Sequence, residues 1–139
     1  MTEPAMFAKG LRGRTVLVVD DEPSLAKAAS RLLDSMGFEV LVATVAQEAV
    51  EICRARGNGI DAVLLDLSLE GTTSTEILRQ MRSVHPGIKV ILMSGYDTRE
   101  SVKNFAGMRL DGFLSKPFGY TEIENAIRGA LALPPRAAE

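Results

Sequence analysis

Acidic, hydroxyl and basic residues follow short apolar runs of this sequence. Asp20 and Asp21 come after the first run, Asp66 after the third, Ser94 after the fourth and Lys116 after the fifth. If these side chains meet, three carboxylates share one site, and their repulsion is relieved by a cation. Carboxylate oxygens suit a hard divalent ion such as Mg²⁺, whereas zinc or copper favours His and Cys. A carboxylate beside such an ion can attack phosphorus, with a lysine and a hydroxyl stabilising the phosphoryl oxygens.

The apolar runs themselves predict strands. They are short and continuously apolar, which is typical of strands buried on both faces of a parallel sheet. The runs are Thr15–Val19, Glu39–Val42, Ala62–Leu65, Val90–Met93 and Gly112–Leu114.

Segments with helical spacing lie between and after these runs. Pro23 stands in the first turn of the first helix, Gly37 follows that helix, and Thr44 and Gln47 are spaced as a capping box before the second. The apolar stripes are Leu25 to Met36, Val50 with Cys53, Ile77 to Val84, a weaker Val102 with Phe105 and Ala106, and Ile123 to Leu131.

Five βα units in a row predict a doubly wound, flavodoxin-like α/β fold with strand order 2-1-3-4-5. Ligands of such sheets bind beyond the carboxyl ends of the strands, where the winding direction switches. Strands 1, 3, 4 and 5 are neighbours in this order, so their ends would bring the acids, the hydroxyl and the lysine into one crevice.

The length of 139 residues fits one domain, which we place at residues 14–133 with flexible tails at 1–13 and 134–139. A net charge of −2 offers no basic surface for nucleic acid. No run is long enough to span a membrane, and the first residues lack the apolar core of a secretory signal. We therefore expect a cytoplasmic protein that binds neither nucleic acid nor membrane.

Two further residues could in principle carry other chemistry, a reactive thiol or a histidine phosphodonor. Cys53 has no second cysteine or nearby histidine, so we predict a small buried side chain rather than a reactive thiol. His85 precedes Pro86 after the third helix, and we predict a surface histidine rather than a phosphodonor.

Four segments together resemble the response-regulator receiver family of two-component signalling, over about residues 14–133. Each segment is a weak pattern alone, but their order and their positions at strand ends make the set specific. The segments are Val18–Pro23, Leu64–Leu67, Met93–Gly95 and Phe113–Phe118.

The resemblance implies a role for each acid and for the lysine. Asp66 would accept a phosphoryl group from a histidine of a partner kinase or phosphotransfer protein. Asp21, Asp66 and the backbone carbonyl of Ser68 would ligate Mg²⁺, and Asp20 would hold the ion through water. Lys116 would pair with the phosphate.

The resemblance also implies a conformational switch. Pro117 would follow a cis peptide bond, Ser94 would swing to the phosphate, and Phe113 would turn inward behind it. These movements would change the face formed by the fourth helix, the fifth strand and the fifth helix, where receivers bind a downstream target or a second copy to form a homodimer. Such a protein is a binding switch rather than an enzyme, since it phosphorylates and dephosphorylates only itself.

The loop after Asp66 departs from the family pattern. Receivers usually carry a proline four positions and a glycine eight positions after the phosphoacceptor, but this chain has Glu70 and Ser74 there, with Gly71 beside them. The departures leave the shape of the loop and the lifetime of the phosphoryl group open.

Two alternatives compete with a stand-alone receiver. The sequences of residues 93–96 and 113–118 are most similar to those of receivers in hybrid sensor histidine kinases. The first alternative is therefore that the chain is a receiver module of such a kinase. An aspartate-nucleophile phosphatase places two acids two positions apart after strand 1, as Asp20 and Glu22 are. Asp66 and the Lys116-Pro117 pair favour the receiver.

Overall fold

The strands form one parallel sheet. The computed structural model describes residues 13–67, 74–95, 105 and 107–133. The strands are β1 (Thr15–Val19), β2 (Glu39–Ala43), β3 (Ala62–Asp66), β4 (Lys89–Ser94) and β5 (Gly112–Ser115). Their order is β2-β1-β3-β4-β5 with every neighbouring pair parallel. The predicted fold class and strand order are confirmed.

Four α-helices lie within the described residues, α1 (Pro23–Ser35), α2 (Ala46–Arg56), α3 (Ser74–Val84) and α4 (Tyr120–Ala130), with a 3₁₀ turn at Gly57–Gly59. Helix α4 is the fifth helix of the sequence prediction. Of the predicted fourth helix, Phe105 is described and buried. Val102 and Ala106 lie outside the described residues, as do residues 1–12 and 134–139, so that helix and the domain ends stay predictions.

The sheet separates two apolar layers. In β1, Leu17 and Val19 belong to one layer and Val16 and Val18 to the other, because successive side chains of a strand point to opposite faces. All four are fully buried. Burial on both faces explains why β1, and likewise β3 and β4, read as continuous apolar runs.

The start of α2 differs from the capping box that the sequence predicts. The residue before α2 is Val45, in an extended conformation and without a side-chain cap. The Thr44 N–H donates instead to Glu48 Oε1 at 3.1 Å. The prediction with Gln47 was wrong because the helix begins one residue later than the spacing assumes.

His85 also differs in its exposure. It follows α3 directly, is half-buried, and its Nε2 lies 3.0 Å from the carbonyl oxygen of Ile60. Its Nδ1 is buried with no hydrogen-bond partner. His85 is therefore less exposed than the predicted surface histidine, because its ring lies beside Ile60, two residues before β3.

Cys53 is fully buried in the apolar layer that contains Leu17, as predicted. Burial raises the pKa of its thiol to about 11. We therefore expect a thiol reagent such as dithionitrobenzoate to leave Cys53 unmodified at neutral pH in the folded protein and to modify it fully in urea. Rapid modification of the folded protein would contradict this burial.

None of the helices in the described part of the chain is both long and apolar enough to cross a membrane.

Candidate functional site

The carboxyl ends of four strands bring the predicted residues to one edge of the sheet. Asp20 follows β1, Asp66 and Ser94 are the last residues of β3 and β4, and Lys116 follows β5. The Lys116 N–H donates to the carbonyl oxygen of Ser94 at 2.7 Å. This hydrogen bond extends the pairing of β4 and β5 to the position of the lysine.

Three carboxylates form the centre of this edge. Asp20, Asp21 and Asp66 each offer an oxygen, and these oxygens all lie within 4.8 Å of one another. Asp20 is 1% and Asp66 3% exposed, while Asp21 is half-buried. Like charges at this separation repel strongly where water is excluded. A donor set made only of carboxylate oxygens fits a hard divalent cation, Mg²⁺ among them.

Lys116 brings an ammonium group to the same carboxylates. Its Nζ lies 2.9 Å from Asp20 Oδ2 and 3.3 Å from Asp66 Oδ1. Burial alone would lower the pKa of Lys116, but the hydrogen bond to Asp20 and the charge of Asp66 outweigh it and raise the pKa. The lysine therefore stays protonated at neutral pH. The peptide bond between Lys116 and Pro117 is cis, the form that the resemblance implies.

The backbone fixes Asp20 in this position. Its N–H donates to the carbonyl oxygen of Ala43 at 3.1 Å, which extends the pairing of β1 and β2. Its Oδ1 accepts a hydrogen bond from the N–H of Glu22 at 3.0 Å, at the start of α1. One carboxylate oxygen of Asp20 is thus held by the backbone and the other by Lys116.

The two residues assigned to the switch differ in exposure. Ser94 is buried at 6% exposure, whereas Phe113 on β5 is 53% exposed. A groove of about 630 Å³ runs between β5 and α4, lined by Phe113, Pro117 and Ala126 among others. The inward turn of Phe113 that the resemblance implies stays a prediction.

Helix α3 contributes one contact that the sequence analysis did not predict. Ser74 begins α3, and its hydroxyl donates to the backbone carbonyl of Asp66 at 2.5 Å. The signal was present in the sequence as a serine at a position usually held by glycine. Ser68, Glu70 and Gly71 lie outside the described residues.

The family model for the response regulator receiver domain matches residues 16–128. The chain belongs to this family. The receiver is 33% identical over 117 residues to the sensor kinase CckA of Brucella abortus, covering 84% of this chain and 12% of that protein. It is 35% identical over 119 residues to the probable transcriptional regulatory protein TcrX of Mycobacterium tuberculosis, covering 84% of this chain and 49% of that protein.

A solved receiver domain from Clostridium thermocellum has the same fold as this receiver. The two structures superpose with a TM-score of 0.79 at 27% identity, over 86% of this chain and 94% of the other. By contrast, the receiver spans half or less of the length of the curated relatives CckA and TcrX. In each of these larger proteins, the segment similar to this receiver is only part of the chain.

Proposed function

We propose that the receiver accepts a phosphoryl group onto Asp66 from a histidine of a partner kinase or phosphotransfer protein. The observation that carries this proposal is the setting of the Asp66 carboxylate. It is almost fully buried, lies 3.3 Å from the Lys116 ammonium, and shares its site with the carboxylates of Asp20 and Asp21. A structural ion pair with Lys116 needs one carboxylate, not three.

Asp21, Asp66 and the backbone carbonyl of Ser68 would hold Mg²⁺, with Asp20 reaching the ion through water. Bound Mg²⁺ supplies positive charge that offsets the carboxylates and the incoming phosphoryl oxygens. Lys116 neutralises one of the three carboxylate charges in the metal-free chain, so a divalent ion matches the charge that is left. Asp20 is already oriented by the N–H of Glu22.

In the proposed transfer, an Asp66 carboxylate oxygen attacks phosphorus as the phosphorus–nitrogen bond of the phosphohistidine breaks. The nitrogen keeps the bonding electron pair, and Asp66 becomes an acyl phosphate. Lys116 pairs with a phosphoryl oxygen, and the Ser94 hydroxyl donates to another. Water later hydrolyses the acyl phosphate and restores the Asp66 carboxylate. The protein therefore phosphorylates and dephosphorylates only itself.

Phosphorylation would then favour a second conformation of the surface beside the site. Ser94 would move toward the phosphoryl group, and Phe113 would leave its exposed position and turn inward. This would reshape the face of the predicted fourth helix, β5 and α4, including the groove beside Phe113. A downstream protein, or a second copy of the chain, would bind that face according to its state.

The chain would act in the cytoplasm, either alone or as part of a longer protein. Its similarity to CckA, which is named a sensor kinase, supports the alternative of a receiver module in a hybrid sensor histidine kinase. The phosphatase alternative is weaker, because the Lys116 ammonium contacts Asp66 as well as Asp20.

We expect acetyl phosphate with Mg²⁺ to add one phosphoryl group to the protein, and excess EDTA to prevent the addition, because the carboxylate charge that Lys116 does not neutralise repels the phosphate. Intact-mass spectrometry measures the product. Equal phosphorylation with EDTA would contradict the metal requirement. Sustained release of nitrophenol from nitrophenyl phosphate would favour the phosphatase instead.

A further inference from the structure

Ser74 contacts the phosphoacceptor through the backbone. Its hydroxyl donates to the carbonyl oxygen of Asp66 at 2.5 Å, at the short end of the range for such bonds. Ser74 is 5% and Asp66 3% exposed, so water does not compete readily for either partner. A buried carbonyl that loses its donor is costly, which makes this hydrogen bond more than a surface contact.

The peptide group between Asp66 and Leu67 is therefore held on both sides. Its N–H donates to the carbonyl oxygen of Met93 in β4 at 2.9 Å, and its carbonyl accepts from Ser74 in α3. A peptide group is planar, so two hydrogen bonds from different elements fix its orientation. That orientation sets how the backbone of Asp66 leaves β3.

We propose that Ser74 is a positioning residue for Asp66. By fixing the Asp66–Leu67 peptide group, its hydroxyl keeps the Asp66 carboxylate aligned with the carboxylates of Asp20 and Asp21. A chain with glycine at this position has no hydroxyl and cannot form the contact. The inference rests on the proposed role of Asp66, and Ser74 acts through the backbone without touching the phosphoryl group.

The expected change in Mg²⁺ affinity can be judged from residues that contact a metal ligand without contacting the metal. Residues that orient a ligand directly change metal affinity by about 10- to 100-fold when they are removed. Ser74 orients the backbone of Asp66 rather than its carboxylate, so we expect a smaller effect, about three- to tenfold.

Three variants separate the hydroxyl from the rest of the side chain. Ser74→Ala removes the hydroxyl and keeps a good helix former, whereas Ser74→Thr keeps a hydroxyl. Ser83→Ala is the matched control, because Ser83 lies exposed on the same helix and its hydroxyl donates to the carbonyl oxygen of Gln80 at 2.7 Å. Should Ser74→Ala fail to fold, Ser74→Gly replaces it.

The first measurement uses the metal-free protein. We expect the Leu67 amide to exchange its hydrogen about tenfold faster in Ser74→Ala, as measured by NMR, because its peptide group is held on one side only. Ser74→Thr and Ser83→Ala should exchange at the parent rate. An unchanged rate in Ser74→Ala would overturn the positioning role.

The second measurement is a Mg²⁺ titration of the same proteins. We expect the Kd for Mg²⁺ to rise about three- to tenfold in Ser74→Ala and to stay near the parent value in Ser74→Thr and Ser83→Ala. Parent-like affinity in Ser74→Ala would also refute the inference. If the parent neither binds Mg²⁺ nor takes up phosphate, the proposed function fails, while the exchange of Leu67 still decides whether Ser74 holds the peptide group.

Discussion

Asp66→Asn should abolish phosphorylation of the receiver by acetyl phosphate and Mg²⁺. An amide has nearly the shape of a carboxylate but lacks the anionic oxygen that attacks phosphorus. Intact-mass spectrometry should show the phosphorylated species in the parent and none in the variant. The variant should stay folded, because Asn is similar in volume to Asp and its substitution removes one of three mutually repelling charges.

Asp34→Asn is the matched control for this experiment. Asp34 lies exposed on α1, so its replacement removes the same charge without touching the site. We expect the control to be phosphorylated like the parent. Full phosphorylation of Asp66→Asn would show that another residue is the acceptor, and fragment mass spectrometry after borohydride reduction would locate it on Asp20, Asp21 or elsewhere.

The central strands of the sheet were predictable because β1, β3 and β4 are buried on both faces. The run Thr15–Val19 coincides with β1, since every residue of that strand is buried. The run Ala62–Leu65 stops one residue short of β3, because Asp66 continues the ladder opposite Met93 although its side chain is polar. Continuous apolar runs thus locate the strands. They stop before the polar residue at the carboxyl end of β3, where the site lies.

Contacts between distant segments were not predictable from spacing. Asp111 Oδ2 accepts a hydrogen bond from the N–H of Val90 at 2.8 Å and lies 3.3 Å from Arg82 Nη2, at the opposite end of β4 from the site. Ser74 likewise has its partner eight residues earlier in the chain, at the end of β3. Both contacts depend on the tertiary fold, which brings residues that are distant in sequence together. Local spacing in a single sequence does not show which distant residues will meet.

Lys116→Met should destabilise the metal-free receiver by roughly 2 to 4 kcal/mol, measured by urea unfolding with EDTA. The ammonium contacts both Asp20 and Asp66, and removing it leaves two buried carboxylates without their cation. Phosphorylation by acetyl phosphate should also slow by about 100-fold or more, because one group that stabilises the phosphoryl oxygens is lost.

The matched control is Lys27→Met, since Lys27 lies exposed on α1. We expect this control to unfold and to be phosphorylated like the parent. If Lys116→Met were as stable as the control, the ammonium would not offset the repulsion of the buried acids.

The pH dependence of the unfolding free energy independently tests the ion pairs of Lys116 with Asp20 and Asp66. The pKa of Lys116 is raised in the folded protein above its ordinary value of 10.5, because the hydrogen bond to Asp20 and the charge of Asp66 outweigh the effect of burial. The stabilisation is therefore complete below that ordinary value and is lost as the pH rises through the higher pKa of the folded state. The difference in unfolding free energy between parent and Lys116→Met should stay constant from neutral pH upward and narrow only in that alkaline range. A difference that narrows near neutral pH would point to a group other than this lysine as the source of the stabilisation.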